Sequence, residues 1–518
     1  MVNENVFLRF SKIVAKHPDN PALEVNNKIY SYFELHKLAL GIASILANYV
    51  EEQFVGILSS RSLSTYAGIL GTLAAKKCYV PFNPKFPVER IKKIISLTNC
   101  KIFIIDQEFF QILNSLFDKT NGLIIITPEI ESPVLKLASG VIHFNQYYIK
   151  TNSVINLKDL NTSNFAYLLF TSGTTGEPKG IPVTHVNLNA YLDNILPKYQ
   201  INASDRCSQA FDTTFDPSFH DMFIAWSNGA CLVVVPRNDL LAPVKFIKEK
   251  GITVWSSVPS MVNIIKRFRL DNKSSLPDVR YTLFTGEACP YGVFETWKKM
   301  APNSLIINGY GPTELTINIT DFKIPDNLLL KDCINSIVPI GKIFDKHSFI
   351  IFDNRELKNE GELAVEGPQV VSGYLNQPEK TAEFFIEINN QIYYKTGDIV
   401  RIDQNEVIHY LGRKDNQVQI RGYRVELGEL ESLITNITKN RVVAIGWPVK
   451  DGLTEGVVAF VEGSVDINLV LSQCKENLPE YMVPSNIICV SPFPLNINGK
   501  TDRNQLTKIL DNHRFSRQ

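Results

Sequence analysis

The segment TSGTTGEPKG, residues 171–180, sets three glycines, several hydroxyls and a lysine within ten positions. That combination suits a phosphate chain. Glycines let main-chain N–H groups approach anionic oxygens, and such loops form anion-binding concavities. Ser172, Thr174 and Thr175 add hydroxyl donors, and Lys179 adds a mobile positive charge. The apolar run FAYLLF (165–170) predicts a buried strand immediately before the loop. Pro178 argues against a helix starting inside the loop. The pattern G-x-x-x-x-G-K-[ST] is absent, so this is not a Walker P-loop. The plain alternative is a Gly/Ser/Thr linker between two strands.

The surrounding elements must hold that loop. FVGILSS (54–60), KIFIID (101–106), GLIIIT (122–127), CLVVVP (231–236) and TVWSSVP (253–259) read as buried strands. PVERIKKIISLT (87–98) and PVKFIKEKG (243–251) have helical spacing. The alternation predicts an α/β fold with largely parallel or mixed sheets and helices. After about residue 335 shorter strands follow, HSFIIFD (347–353) and GELAVEG (361–367), which predict a β-rich subdomain. A break falls near LGRKDNQ (411–417). Beyond it a helix at 427–437, a strand at 441–449 and a helix at 467–478 predict a small α+β domain. The expected boundaries are 1–412 and 413–518.

A chain of 518 residues exceeds one core, so more than one domain is required. Apolar residues at 44% and charged residues at 20% fit an ordinary globular chain. Acidic and basic side chains balance at 53 each, which argues against a dedicated nucleic-acid or membrane-surface binder. No apolar run approaches the ~20 residues that span a bilayer. MVNENVFLRF lacks the basic and apolar regions of a secretory signal. Eight cysteines without a C-x-x-C pair predict free thiols in a reducing cytoplasm. Eight histidines without H-x-x-x-H spacing argue against a transition-metal enzyme.

Four further motifs follow the loop: INGYGPTELT (307–316), YYKTGDIVR (393–401), GRKDNQVQIRGYRVELGELE (412–431) and NGKTDR (498–503). In this order they resemble the adenylate-forming superfamily of acyl-CoA synthetases, luciferases and amino-acid adenylation domains. IYSYFEL (29–35), AAKKCYVPFNP (74–84) and LPEYMVP (478–484) are similar to the branch of peptide-synthetase adenylation domains and D-alanine–carrier-protein ligases. The resemblance covers essentially the whole chain.

It implies two half-reactions. A carboxylate attacks the α-phosphate of ATP, giving an acyl-adenylate and pyrophosphate; a thiol then attacks the anhydride and releases AMP. By resemblance Thr171, Ser172, Gly173, Thr174, Thr175 and Lys179 grip the β- and γ-phosphates, and Gly286 and Glu287 join the nucleotide site. Tyr310 stacks on adenine, and Asn308 bonds its amino group, beside Gly309. Thr313 contacts the α-phosphate, Glu314 holds Mg2+, and Asp398 accepts bonds from the ribose with Arg413 close by. Lys500 bridges the attacking carboxylate and the α-phosphate, and a hinge at Asp415 rotates the small domain between half-reactions. Read plainly, NGK is a hairpin turn with a surface lysine, and Asp415 an exposed turn aspartate.

FDTTFDPSFHDMFIAWSNGA (211–230) resembles the family's pocket helix. Phe-Asp occurs at 211–212 and 215–216, and the spacing to NGA favours the second. Asp216 then faces the α-ammonium of an amino acid; otherwise it is a helix N-cap. The remaining positions carried over are Pro217, His220, Ser256, Leu283, Thr285, Gly309, Ile317 and Asn318. They add no further charged side chain, so a small or medium neutral amino acid is expected, with alanine, serine and proline ahead. His220 is equally a packing histidine. No carrier attachment motif follows residue 503 and no condensation signature precedes the first domain. The expected acceptor is therefore the phosphopantetheine of a carrier protein in trans, with coenzyme A as competitor. The rivals are an acyl- or aryl-CoA ligase and an inactive nucleotide-binding homologue.

Overall fold

The computed structural model describes residues 4–117, 122–131, 140–151, 165–172, 178–352, 359–450, 452–494 and 501–515. The chain divides into two compact units. One comprises Met1–Pro84, Lys92–Phe170 and Gly180–Lys414; the other comprises Lys85–Ile91, Thr171–Lys179 and Asp415–Gln518.

The first unit contains a nine-stranded sheet. Its central strands, in spatial order, are Leu305–Tyr310, Tyr281–Phe284, Val254–Ser257, Arg206–Gln209, Cys231–Val234 and Pro21–Val25, all parallel. Their apolar runs lack alternation because both faces are covered, and the 231–234 and 254–257 strands are buried at every position. The chain leaves Arg206–Gln209, lays Cys231–Val234 on one side, then crosses to lay Val254–Ser257 on the other. In open α/β sheets such a reversal marks the usual ligand position, here at the carboxyl ends of the 206–209 and 254–257 strands.

A second sheet pairs Phe54–Leu58 with Cys78–Phe82 and Ile102–Ile105, and it extends to Lys179–Thr184. FVGILSS ends as a strand at Leu58 because Asp106 captures the next two residues: its Oδ2 accepts from Ser59 Oγ (2.9 Å) and Ser60 N–H (2.7 Å). Helices Tyr32–Leu46, Leu63–Ala74, His185–Tyr199 and Pro217–Trp226 share one apolar core with both sheets. The β-rich portion is a five-stranded antiparallel sheet beginning at Ser348–Phe352.

In the second unit, Gln417–Ile420 and Tyr423–Glu426 form a hairpin. Helices Leu427–Thr438 and Ile467–Asn477 contribute to a core with Ile420, Val425, Ala459 and Met482. Among the described residues no helix is long and apolar enough to cross a membrane. All eight cysteines are free thiols, and only Cys489 is exposed.

Candidate active site

Asp216 follows the 206–209 strand by seven residues, on the connection that leaves its carboxyl end, and is buried. It occupies the N-cap position of helix Pro217–Trp226, yet its side chain makes no capping bond. Its Oδ2 instead accepts the Ile317 N–H at 3.1 Å, and the Thr313 hydroxyl bonds the same carboxylate. Burial, with the charge of Glu314 nearby, pushes this carboxyl up to about 7. The residue is therefore a buried acid aimed at the 313–317 turn, poised between its charged and neutral forms.

That turn is unusual. Thr313–Leu315 forms one 3-10 turn, after which Thr316 and Ile317 take φ of 59° and 73°. Left-handed backbone is strained for β-branched residues, costing on the order of 1–3 kcal/mol each. The turn folds back onto the end of the 305–310 strand, and the glycines there permit it. A Cβ on Gly309 would lie 2.5 Å from Asn318 Nδ2, and one on Gly311 would lie 2.4 Å from the Ile317 carbonyl oxygen. Glu314 is fully buried and accepts from the Tyr374 hydroxyl at 2.9 Å.

The predicted pocket side chains are largely satisfied by one another or by neighbours. The Thr285 hydroxyl donates to Asn318 Oδ1 at 2.6 Å. The Ser256 hydroxyl bonds Asp221, a buried carboxyl that also accepts the Ala210 N–H and is held well above its ordinary range by burial. His220 Nδ1 lies 2.6 Å from the Tyr191 hydroxyl, and burial lowers the ring to about 3, so it is neutral. The packing description of His220 is thus realised whatever else it does. Leu283 pairs in register with Ser256 and Ile307, which ties three neighbouring strands together at this level. Pro217 supplies the first turn of the helix.

A second cluster lies along the 391–402 strand. The Tyr310 hydroxyl donates to Asp398 Oδ2 at 2.6 Å. Arg413 Nη1 donates to Asp398 Oδ1 at 2.9 Å and to the Thr396 carbonyl at 2.8 Å. Asn308 directs its amide nitrogen to the carbonyls of Val338 (3.3 Å) and Pro339 (2.9 Å), which points its oxygen the other way as an acceptor. Gly286 has φ of +86°, and the neighbouring Glu287 carboxylate binds Ser260 N–H (2.9 Å) and Oγ (3.1 Å) at the start of a helix. Glu287 therefore anchors the loop with its side chain.

In the second unit, Thr171 ends its strand. Ser172 Oγ donates to the Arg424 carbonyl (2.9 Å) and accepts the Glu426 N–H (3.1 Å). Lys179 Nζ lies 3.4 Å from Glu426 Oε1, both side chains being buried. Asp415 Oδ1 accepts the Gln417 N–H at 3.1 Å, a local turn bond. Gly173, Thr174, Thr175 and Lys500 lie outside the described residues.

Sequence reasoning missed Tyr374, Asp221 and Thr396. Each is ordinary in its local pattern and acquires a partner only through the fold.

An open sheet with a strand-order reversal, a buried acid after its switch strand and a Tyr–Asp–Arg cluster have the layout of an α/β ligand-binding core. The AMP-binding enzyme family matches residues 10–375, and the chain belongs to that family. The Vibrio cholerae adenylation domain AlmE, solved with glycyl-adenosine-5'-phosphate, is 31% identical, with a TM-score of 0.89 over 99% of this chain and 98% of that one. Gramicidin S synthase 1 of Brevibacillus brevis is 31% identical over 96% of this chain, and bacitracin synthase 1 of Bacillus licheniformis is 31% identical over 97%. The chain spans 44% and 9% of the length of those two relatives.

Proposed function

We propose that this chain activates an amino acid. The carboxylate oxygen attacks the α-phosphorus of ATP, the bond to the β-phosphate breaks, and pyrophosphate leaves. A phosphopantetheine thiol of a separate carrier protein then attacks the carbonyl carbon, loses its proton and expels AMP. The observation that carries this reading is Asp216, a buried carboxyl not used as a helix cap. A buried carboxylate calls for a cationic partner, which an α-ammonium supplies and a fatty or aryl acid lacks.

Ser256, Thr285, His220 and Asn318 already satisfy polar groups within the protein. They leave little reason for a charged substrate side chain, so a small neutral amino acid fits: alanine, serine or proline, with glycine added by the likeness to AlmE. Asp398 would take the ribose hydroxyls, Tyr310 the adenine face and Thr313 the α-phosphate, with Lys179 and the 171–175 loop on the outer phosphates. Glu314 offers hard carboxylate oxygen, the donor that Mg2+ combines with phosphate oxygens and water. Bound there, the ion would offset phosphate charge.

Pyrophosphate exchange across the twenty amino acids, their D-forms and simple acids tests the reading. Strong exchange with one or a few small amino acids is expected. Exchange confined to acids without an amine would replace it with a CoA ligase, and no exchange with any acid would leave a nucleotide-binding homologue.

The titration of Asp216 adds a pH signature. Below about 7 an ammonium substrate must displace a proton from this carboxyl; above it, the site is already ionised. The amino-acid KM, taken relative to the ATP KM, is expected to fall about tenfold from about pH 6 to about pH 8. The isosteric Asp216→Asn variant should show no such slope.

A further inference from the structure

The segment GPQVVSGYL, residues 367–375, follows the 360–366 strand and carries no charge. Within it Gln369 is fully buried. Its amide nitrogen lies 3.2, 3.3 and 2.8 Å from the carbonyl oxygens of Leu315, Thr316 and Asn318. The Thr316 hydroxyl donates to the Gln369 carbonyl at 2.6 Å. The Gln369 N–H in turn donates to His347 Nε2 at 3.2 Å. The segment is thus fastened to the turn in both directions.

Those three carbonyls flank the two left-handed residues, Thr316 and Ile317. Carbonyl dipoles gathered around one point repel each other, and buried ones require a donor. The Gln369 amide supplies two hydrogens to all three. With the carbonyls held there, the Ile317 N–H is directed to the opposite side, onto Asp216. The same clamp fixes Asn318, whose side chain meets Thr285.

We infer that Gln369 is a positioning residue for substrate amine recognition: its amide holds the 315–318 turn so that the Ile317 N–H fixes the Asp216 carboxylate against the substrate's ammonium group. This rests on the amino-acid reading of Asp216. Gln369 itself touches neither substrate nor nucleotide in this account. Substituents on the substrate's amine-bearing carbon should therefore feel its loss, while ATP should not.

The test compares the amino acid activated best by the wild type with its desamino acid, in pyrophosphate exchange by the full chain. Gln369→Leu removes the amide donors at similar volume. Thr316→Val is isosteric, removes one bond of the same clamp and retains a β-branched side chain. For Gln369→Leu the amino-acid KM is expected to rise tenfold or more, with the ATP KM within twofold, and the preference over the desamino acid should fall by the same factor. Thr316→Val should move the same ratio in the same direction by a smaller factor, and it decides the matter alone if Gln369→Leu does not fold. A merely structural role would raise both KM values together or leave the amine preference intact, and either result overturns the inference. A wild-type chain with no amino-acid-dependent exchange overturns this inference and the proposed function together; normal wild-type exchange with an unmoved variant ratio overturns this one only.

Discussion

Replacing Asp216 by alanine is expected to lower kcat/KM for the amino acid about 10²–10⁴-fold, because removing one partner of a buried ion pair commonly costs about 3–5 kcal/mol. The loss should appear in exchange driven by amino acids, while the dissociation constant for ATP changes little. Asp216→Asn sharpens the point. It keeps an oxygen to accept the Ile317 N–H and changes almost no volume, so it isolates the charge. Burial pushes the folded-state carboxyl up to about 7, above the usual carboxylate range. The stability it contributes is therefore fully present below the ordinary value and lost as pH rises through about 7. At alkaline pH the asparagine variant should melt higher than wild type in the absence of substrate while activating amino acids poorly. An inactive variant that is also less stable at every pH would point to a packing role, and full amino-acid activity would remove Asp216 from recognition altogether.

Much of the scaffold was legible because it rests on local rules. Continuous apolar runs such as KIFIID and CLVVVP mark strands covered on both faces, and both pair in parallel with their neighbours. The glycines at 309 and 311 admit the close approach of residues 317–319, a constraint not read from the sequence. The backbone that exploits those glycines was not legible. Thr316 and Ile317 have β-type side chains, and nothing local predicts left-handed φ at both. The distant Gln369 amide, more than fifty residues along the chain, is one of the partners that hold the turn, with Asp216 and Thr285. The same holds for Glu314, whose buried carboxylate meets Tyr374, and for His220, whose ring is engaged by Tyr191. Asp216 shows the limit most clearly. Its residue type and its place before Pro217 also fit an N-cap, yet the side chain makes no capping bond and accepts the Ile317 N–H instead.

Lys500→Ala should split the two half-reactions. In the first, two anions meet, the substrate carboxylate and the α-phosphate, and negative charge is concentrated where the new oxygen–phosphorus bond forms. On the proposed reading Lys500 would place its ammonium there as an electrostatic stabiliser, and loss of one comparable contact lowers rates about 10²–10³-fold. In the second half-reaction the electrophile is a carbonyl carbon and the leaving group is AMP, so charge changes at a different atom. A lysine tuned to the first transition state has no reason to accelerate the second. Pyrophosphate exchange by Lys500→Ala should therefore collapse, while single-turnover transfer from a presynthesised aminoacyl adenylate to carrier phosphopantetheine stays within a few-fold of wild type. Lys500→Arg keeps the charge but enlarges and flattens the head group, and intermediate exchange is expected. Equal losses in both half-reactions would mean that the lysine holds the adenylate in general, since an interaction shared by both steps cannot distinguish their transition states.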